Sequence, residues 1–358
     1  MEKIEIVPPQ TEKKKYINYL KFLAILAVIV IHVLGDKYYS ALPQGTLWYI
    51  LLFGASLVRF GVPIFIMCSG AINLNEHKDF SIKKSFSLII KYIVIFLIWN
   101  FLYLNLEYLL FHTDSSYTTY MLQTAGLYKY HLWYLLSLLF LYLITPALKL
   151  ITKKENKHIV EYLLIIFISS CLILSLSNIF YKSEIFKVIR VIIPGEIFAY
   201  IFLYILGWYL STIEMSPKLQ NLIIIGGIIA YILSPFINIS LSILKAEKIF
   251  ITSSNFDFFN ILSCCGLFLI FKNSEAKLKQ CKFIDVVAKN TLYIYLSHVA
   301  IIMLLQKYFF KDFYIHYRSI PIYIAETIFV FFVSLLISLT INYTKKQVRK
   351  FYGKKNCK

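Results

Sequence analysis

Lys21 and His32 stand 11 positions apart in the first long apolar run of the chain, Tyr16–Leu34, where tyrosines are the only other ionisable side chains. A charged side chain deep in a bilayer costs about 2.5 kcal/mol or more, so an intramembrane histidine marks a functional site by default. At a rise of about 1.5 Å per residue the pair is separated by about 16 Å along one helix. His32 suits proton transfer in a dry site. Lys21, nearer the helix start, suits an anion arriving from that side of the membrane.

Four further segments carry polar groups inside apolar sequence. The second run holds Arg59, Pro63, Phe65 and Ser69-Gly70. An arginine keeps its charge at any attainable pH, so Arg59 needs an anionic partner, a wet cavity or backbone carbonyls. Pairing with a buried glutamate is its structural alternative. Pro63 is expected to kink this helix and free a carbonyl beside Arg59. Ser69-Gly70 allows close approach of a ligand or a backbone. The fourth run opens with His131-Leu-Trp133-Tyr134, where Trp and Tyr also suit an interfacial aromatic belt. The sixth begins Arg190-Val-Ile-Ile-Pro194-Gly195-Glu196. This is ordinary helix-start chemistry, or else Glu196 orients His32, His131 or Arg59. The ninth carries Tyr293, Tyr295 and His298, with Tyr295 on the face of His298; a satisfied core histidine is the alternative there. By depth, His32, Arg59 and His298 fall in the middle of the membrane. Glu196 and His131 fall further out, and Lys21 and Ser69 fall near the inner face.

The elements that must position these groups follow from composition. The chain has 358 residues, 59% of them hydrophobic, with a mean hydropathy of +0.69. That is polytopic membrane composition, not that of a soluble core. The spans 16–35, 46–74, 86–110, 131–151, 159–180, 191–211, 219–238, 256–272, 286–306 and 320–343 predict an all-α integral membrane protein, a bundle of about ten transmembrane helices. The weakly apolar run 240–256 has room for an interfacial helix. One membrane domain over 1–358 is expected, with short tails 1–15 and 344–358 and no removable signal peptide.

The net charge of +18 sits beside the apolar runs, which points to anionic lipid and topology and away from nucleic acid. The loops that are cytoplasmic when the N-terminus is inside hold 22 Lys and Arg, against 10 on the other side. Both termini are therefore expected in the cytoplasm. The six cysteines form no CxxC pair, so neither a disulfide framework nor a metal site is expected.

These residues resemble the membrane-bound acyltransferase-3 family, polytopic O-acyltransferases of surface polysaccharides, over nearly the whole chain. Lys21 and His32 keep the spacing of that family's first helix, with Asn18 and Lys21 in place of its usual Asp and Arg. Arg59, Val62-Pro63, Phe65 and Ser69-Gly70 match its second helix. His131-Leu-Trp133-Tyr134 with Leu141-Tyr142 and Thr145-Pro146 is similar to O-acetyltransferases of bacterial surface glycans. Leu206-Gly207-Trp208-Tyr209 and Tyr293 to His298 are similar to further family segments. The approach to the third helix, Lys83-Lys84 to Lys91, departs from the arginine-rich pattern common there.

The resemblance implies transfer of an acyl group, most often acetyl, from acyl-CoA to a hydroxyl of a cell-surface glycan or its lipid-linked precursor, at a bacterial cytoplasmic membrane. In that reading His32 is a general base or a transient acyl carrier. Arg59 or His298 stabilises the oxyanion, and Glu196 orients or neutralises this group. Lys21, Ser69, Lys84 and Lys91 hold the CoA end, while His131, Trp133 and Tyr295 receive the acceptor. No metal is required. A transporter or flippase of a lipid-linked glycan is the competing class; no internal repeat supports it.

Overall fold

In lipid, only a helix or a closed barrel pairs every backbone polar group, so apolar runs bordered by lysines fold as helices. The computed structural model describes residues 14–40, 45–78, 80–112, 116–124, 129–179, 196–245, 256–309 and 319–355. Its helices, in chain order, are α1 (Lys15–Ser40), α2 (Thr46–Leu57), α3 (Gly61–Asn73), α4 (Ile82–Phe111), α5 (Tyr117–Gln123), α6 (Trp133–Ile151), α7 (Lys157–Ile179), α8 (Glu196–Thr212), α9 (Pro217–Lys245), α10 (Phe258–Asn273), α11 (Lys282–Tyr308) and α12 (Ile320–Lys355). Short 3-10 turns, Tyr130–Leu132 and Lys154–Asn156, lead into α6 and α7.

Among the described residues no strand occurs. Among the same residues eight segments are long and apolar enough to cross a membrane, with α2 and α3 counted together, and two shorter apolar helices lie at Phe198–Thr212 and Phe258–Asn273. Each of the ten expected spans thus contains a helix, and the chain is an all-α, multi-pass membrane protein. Ile90, Leu97 and Phe101 of α4 are exposed, as lipid-facing residues should be.

The structure departs from expectation in three places. The second span does not kink at Pro63; it breaks at Val58–Phe60, where Gly61 N–H donates to the Val58 carbonyl (3.3 Å). Pro63 falls in the first turn of α3, where a missing N–H leaves no helical bond unmade. The segment after 343 is no loose tail, because α12 continues to Lys355. Part of the weakly apolar run after 239 simply extends α9, which ends at Lys245; residues 246–255 lie outside those described.

Helix ends are tied by side chains from distant segments. The Glu275 carboxylate accepts from the Lys15 and Tyr16 amides (2.8 and 2.7 Å), which satisfies orphan donors at the start of α1 and complements its dipole. Asp257 caps α10 through the Phe259 and Asn260 amides. Ser175 of α7 donates to the same carboxylate at 2.7 Å.

Small residues set the closest helix crossing. A Cβ on Gly70 of α3 would overlap the Tyr204 carbonyl of α8, and a Cβ on Gly207 would overlap the Met67 carbonyl. Dispersion at such crossings replaces the hydrophobic drive that lipid removes. α1 packs against both α3 and α11, and α11 against α12. The last pair is joined by Asn290, whose side-chain oxygen accepts from Ser338 (2.9 Å) and Asn342 (2.7 Å). α1 and α11 thus pack side by side and carry His32 and His298.

Candidate active site

α1 is continuous through His32, and α11 is continuous through His298. Their packing sets the two imidazole centroids 5.0 Å apart. The 3-10 turn before α6 adds His131, 6.4 Å from His32 and 5.6 Å from His298. His131 and His298 are fully buried. The Nδ1 of His298 is 2.5 Å from the Tyr295 carbonyl. A carbonyl only accepts, so this contact places the proton on Nδ1 and leaves the Nε2 lone pair available. That Nε2, and both ring nitrogens of His131, have no hydrogen-bond partner among the described residues. The Tyr295 hydroxyl donates to the His131 carbonyl, so Tyr295 ties the two histidines together.

The helix break brings Arg59 to this cluster. A cavity of about 140 Å³ is lined by His32, Arg59, His131, Trp133 and Tyr295, together with residues of α1 and the α2–α3 junction. At the break the Arg59 carbonyl finds no amide four residues on, since residue 63 is proline, and α10 lies against this carbonyl and its neighbour. Asn260 Nδ2 donates to the Arg59 carbonyl at 3.4 Å, and the Cys264 thiol lies 3.9 Å from that of Phe60. Broken helices are tolerated at membrane depth where backbone is re-satisfied by protein or faces a cavity. Trp133 stacks on Tyr200 of α8 (5.5 Å, 24°) at the margin of the cavity.

A second, larger cavity of about 790 Å³ opens at the other end of α1 and α11. Its wall carries Asn18, Lys21, Lys91, Tyr92, Lys289, Tyr293, Asn342, Lys345, Lys346, Arg349 and Lys350, and among the described residues no acidic one. Asn18 donates to Asp285 at 2.8 Å. The Lys345 amine donates to the Tyr293 hydroxyl and lies 4.3 Å from the centre of its ring. So many cations around one cavity repel one another, and an anion of several charges relieves that repulsion.

A family model described as an acyltransferase domain (Acyl_transf_3) matches residues 14–343. The chain belongs to the acyltransferase-3 family. It is a membrane acyltransferase by that membership. Searches of curated proteins and of solved structures returned no match.

Within this acyltransferase-3 chain the expected residues divide by place. His32, Arg59, His131, Trp133 and Tyr295 share the small cavity, with His298 against it. His131 is not further out than the other histidines; the 3-10 turn folds it in beside them. Lys21 and Lys91 share the basic cavity. Ser69 and Lys84 line neither. The Ser69 hydroxyl is turned to the Phe65 carbonyl of its own helix (2.9 Å), and Lys84 is exposed near the start of α4. Glu196 opens α8, but its side chain lies outside those described. Among the described residues no group of three or more His, Cys, Asp or Glu is placed to hold a metal ion.

Lys289, Lys345, Lys346, Arg349 and Lys350 were not singled out by the sequence. The last four recur at i, i+1, i+4 and i+5, a one-face helical stripe directly after an apolar span. That stripe was the available signal. Lys78, in the loop before α4, also belongs to this basic end. Burial and the neighbouring Lys84, Lys21 and Lys149 hold its amine down at about 8.

Proposed function

We propose that the protein transfers an acyl group, most simply acetyl, from acyl-CoA to a hydroxyl of a cell-surface glycan or its lipid-linked precursor. The observation that carries this reading is the pairing of two sites on the same two helices. α1 presents Lys21 to the basic cavity and His32 to the small one. α11 presents Lys289 and Tyr293 to the first, and Tyr295 and His298 to the histidine cluster. CoA carries several phosphate charges at one end and the thioester at the other, so it matches a basic cavity joined by two helices to a nearly charge-free base.

The donor's phosphates lie among Lys21, Lys91, Lys289, Lys345 and Arg349, with the lysines acting as point charges and the arginine as a fork. The thioester reaches the histidine cluster. A histidine Nε2, on His298 or His32, takes the acceptor hydroxyl's proton as its oxygen attacks the thioester carbonyl. The tetrahedral oxyanion faces Arg59, whose charge is worth most in a dry site. Collapse breaks the carbon–sulfur bond, and the departing thiolate takes the proton from the imidazolium. Products are the ester and CoA-SH. Trp133, with Tyr200 stacked on it, offers an aromatic face to a sugar ring at the acceptor side.

The Lys and Arg distribution supports a cytoplasmic basic cavity, both termini inside and anionic lipid around the inner face, and the family resemblance supports a bacterial plasma membrane setting. The one membrane domain holds the whole reaction. The test is release of free CoA from acetyl-CoA by purified wild type, His32→Ala and His298→Ala, with donor binding measured separately. Turnover lost with binding retained supports the reading. Undiminished turnover in both variants, or none in wild type supplied with membrane glycolipid, overturns it.

A further inference from the structure

Tyr103 of α4 is 1% exposed and reaches across to α11. Its hydroxyl donates to the Leu296 carbonyl at 2.7 Å and accepts from the Ala300 amide at 3.0 Å. In a regular helix those two groups bond to each other as an i→i+4 pair. A side chain entering that ladder changes the local helix geometry. His298 lies midway between them in sequence. Its own Nδ1 holds the Tyr295 carbonyl one residue earlier. The Tyr103 ring also stands edge-on to His131, with centroids 4.7 Å apart. One buried side chain from a third helix thus touches the mounting of one histidine and the ring of another.

We infer that Tyr103 is a positioning residue for the acyl transfer, its hydroxyl bridging the Leu296 carbonyl and the Ala300 amide and so fixing the α11 turn that aims His298 at the acceptor hydroxyl. The inference rests on the proposed chemistry at the histidine cluster. Loss of the hydroxyl removes both bonds to the turn that carries His298 and leaves the imidazole free to shift against His32 and His131. The Tyr103 ring and its contact with His131 survive in Tyr103→Phe. Small misplacements of a reacting group cost large factors in rate, so the change is read in turnover and not in donor affinity.

The experiment measures CoA release from acetyl-CoA across pH for wild type, Tyr103→Phe and a variant with 4-aminophenylalanine at 103, with melting temperatures alongside. The amine donates well and accepts weakly, so it should fall between the other two. Expected are a kcat at least about tenfold down in Tyr103→Phe, donor KM within about twofold of wild type, and an acid limb of the pH–rate profile displaced by half a unit or more. Wild-type kcat and acid limb, with only the melting temperature lowered, overturn the inference. If Tyr103→Phe does not fold, the amine variant decides: a partial loss supports the positioning role, and equality with wild type removes it. His298→Ala separates the two layers. Full turnover in that variant removes His298 from the reaction and the inference with it, and sinks the underlying reading only if His32→Ala is fully active too. Inactivity of His298→Ala, beside a wild-type Tyr103→Phe, sinks only the role of Tyr103.

Discussion

His32 and His298 come from opposite ends of the chain, yet their rings are 5.0 Å apart, centre to centre. In the proposed reaction, two imidazoles this close would act on the same proton and the same substrate. Substitutions of groups that act as a unit are non-additive. His32→Ala and His298→Ala are each expected to lower CoA release by about 100-fold or more, the usual worth of a general base. The double variant should be no slower than the worse single by more than about threefold. Multiplying losses would show that the two histidines serve separate steps.

Donor affinity should follow the basic cavity. Arg349 and Lys289 line it from α12 and α11. Arg349→Gln and Lys289→Gln are each expected to raise the KM for acetyl-CoA by about 3- to 10-fold, roughly 0.7 to 1.4 kcal/mol. kcat should change little, because neither side chain lines the histidine cavity. Steady-state kinetics at two ionic strengths check this. The wild-type KM should rise with salt, and less so in the variants. A KM indifferent to both substitutions would move the donor elsewhere.

The pH dependence of donor binding has a definite sign. The Lys78 amine is held at about 8 by burial and by Lys84, Lys21 and Lys149. It is charged below that pH and neutral above it, against an ordinary lysine near 10.5. As pH rises through 8 the basic end loses a charge, so KM for an anionic donor should climb between about pH 7.5 and 9. Arginine holds its proton throughout, so Lys78→Arg should keep KM flat over that range. The same depression means protonated Lys78 is disfavoured in the fold. Its unfavourable contribution to stability is present below pH 8 and relieved as pH rises from 8 toward 10.5. A KM profile identical in wild type and Lys78→Arg would remove Lys78 from donor binding.

Gly70 and Gly207 make a stability prediction independent of chemistry. A methyl group at either position overlaps a carbonyl of the facing helix. Backbone cannot rotate aside as a side chain does, so α3 and α8 must separate. Gly70→Ala is expected to cost about 1–3 kcal/mol, the range for overpacked cores, seen as a clear drop in melting temperature in detergent. Gly226→Ala is the control, because its nearest neighbour is the Leu262 side chain at 3.6 Å. Equal melting temperatures for the two variants would contradict the crossing.

The helical content was legible because it is local. Apolar runs of membrane length leave the backbone one solution, and flanking lysines mark their ends. The break at Arg59 was legible only as a disturbance. Pro63 drew attention, but the sequence 58–60 contains no breaker of its own. What the local sequence could not show is the partner: Asn260 of α10, two hundred residues later, donates to the Arg59 carbonyl, which Pro63 leaves without a helical amide. The lysine stripe of α12 looked like a tail because charge ends an apolar run. A helix need not end where its hydropathy does, and after Pro321 in its first turn α12 meets no further proline up to Lys355.

By itself the sequence determined the class of the molecule, the places of its apolar helices, and a short set of polar residues too costly to sit idle in lipid. Those are one-dimensional properties, since burial in a membrane is decided by the residues of each run. Which of those residues meet was decided by packing alone. α1, the turn before α6, and α11 converge to gather His32, His131 and His298, and α4 sends Tyr103 between them. The same packing turns Ser69 into its own helix and assembles cations from α1, α4, α11 and α12 around one cavity. Helical faces set by a 3.6-residue period carry no record of which partner they face, so only the tertiary structure could supply it.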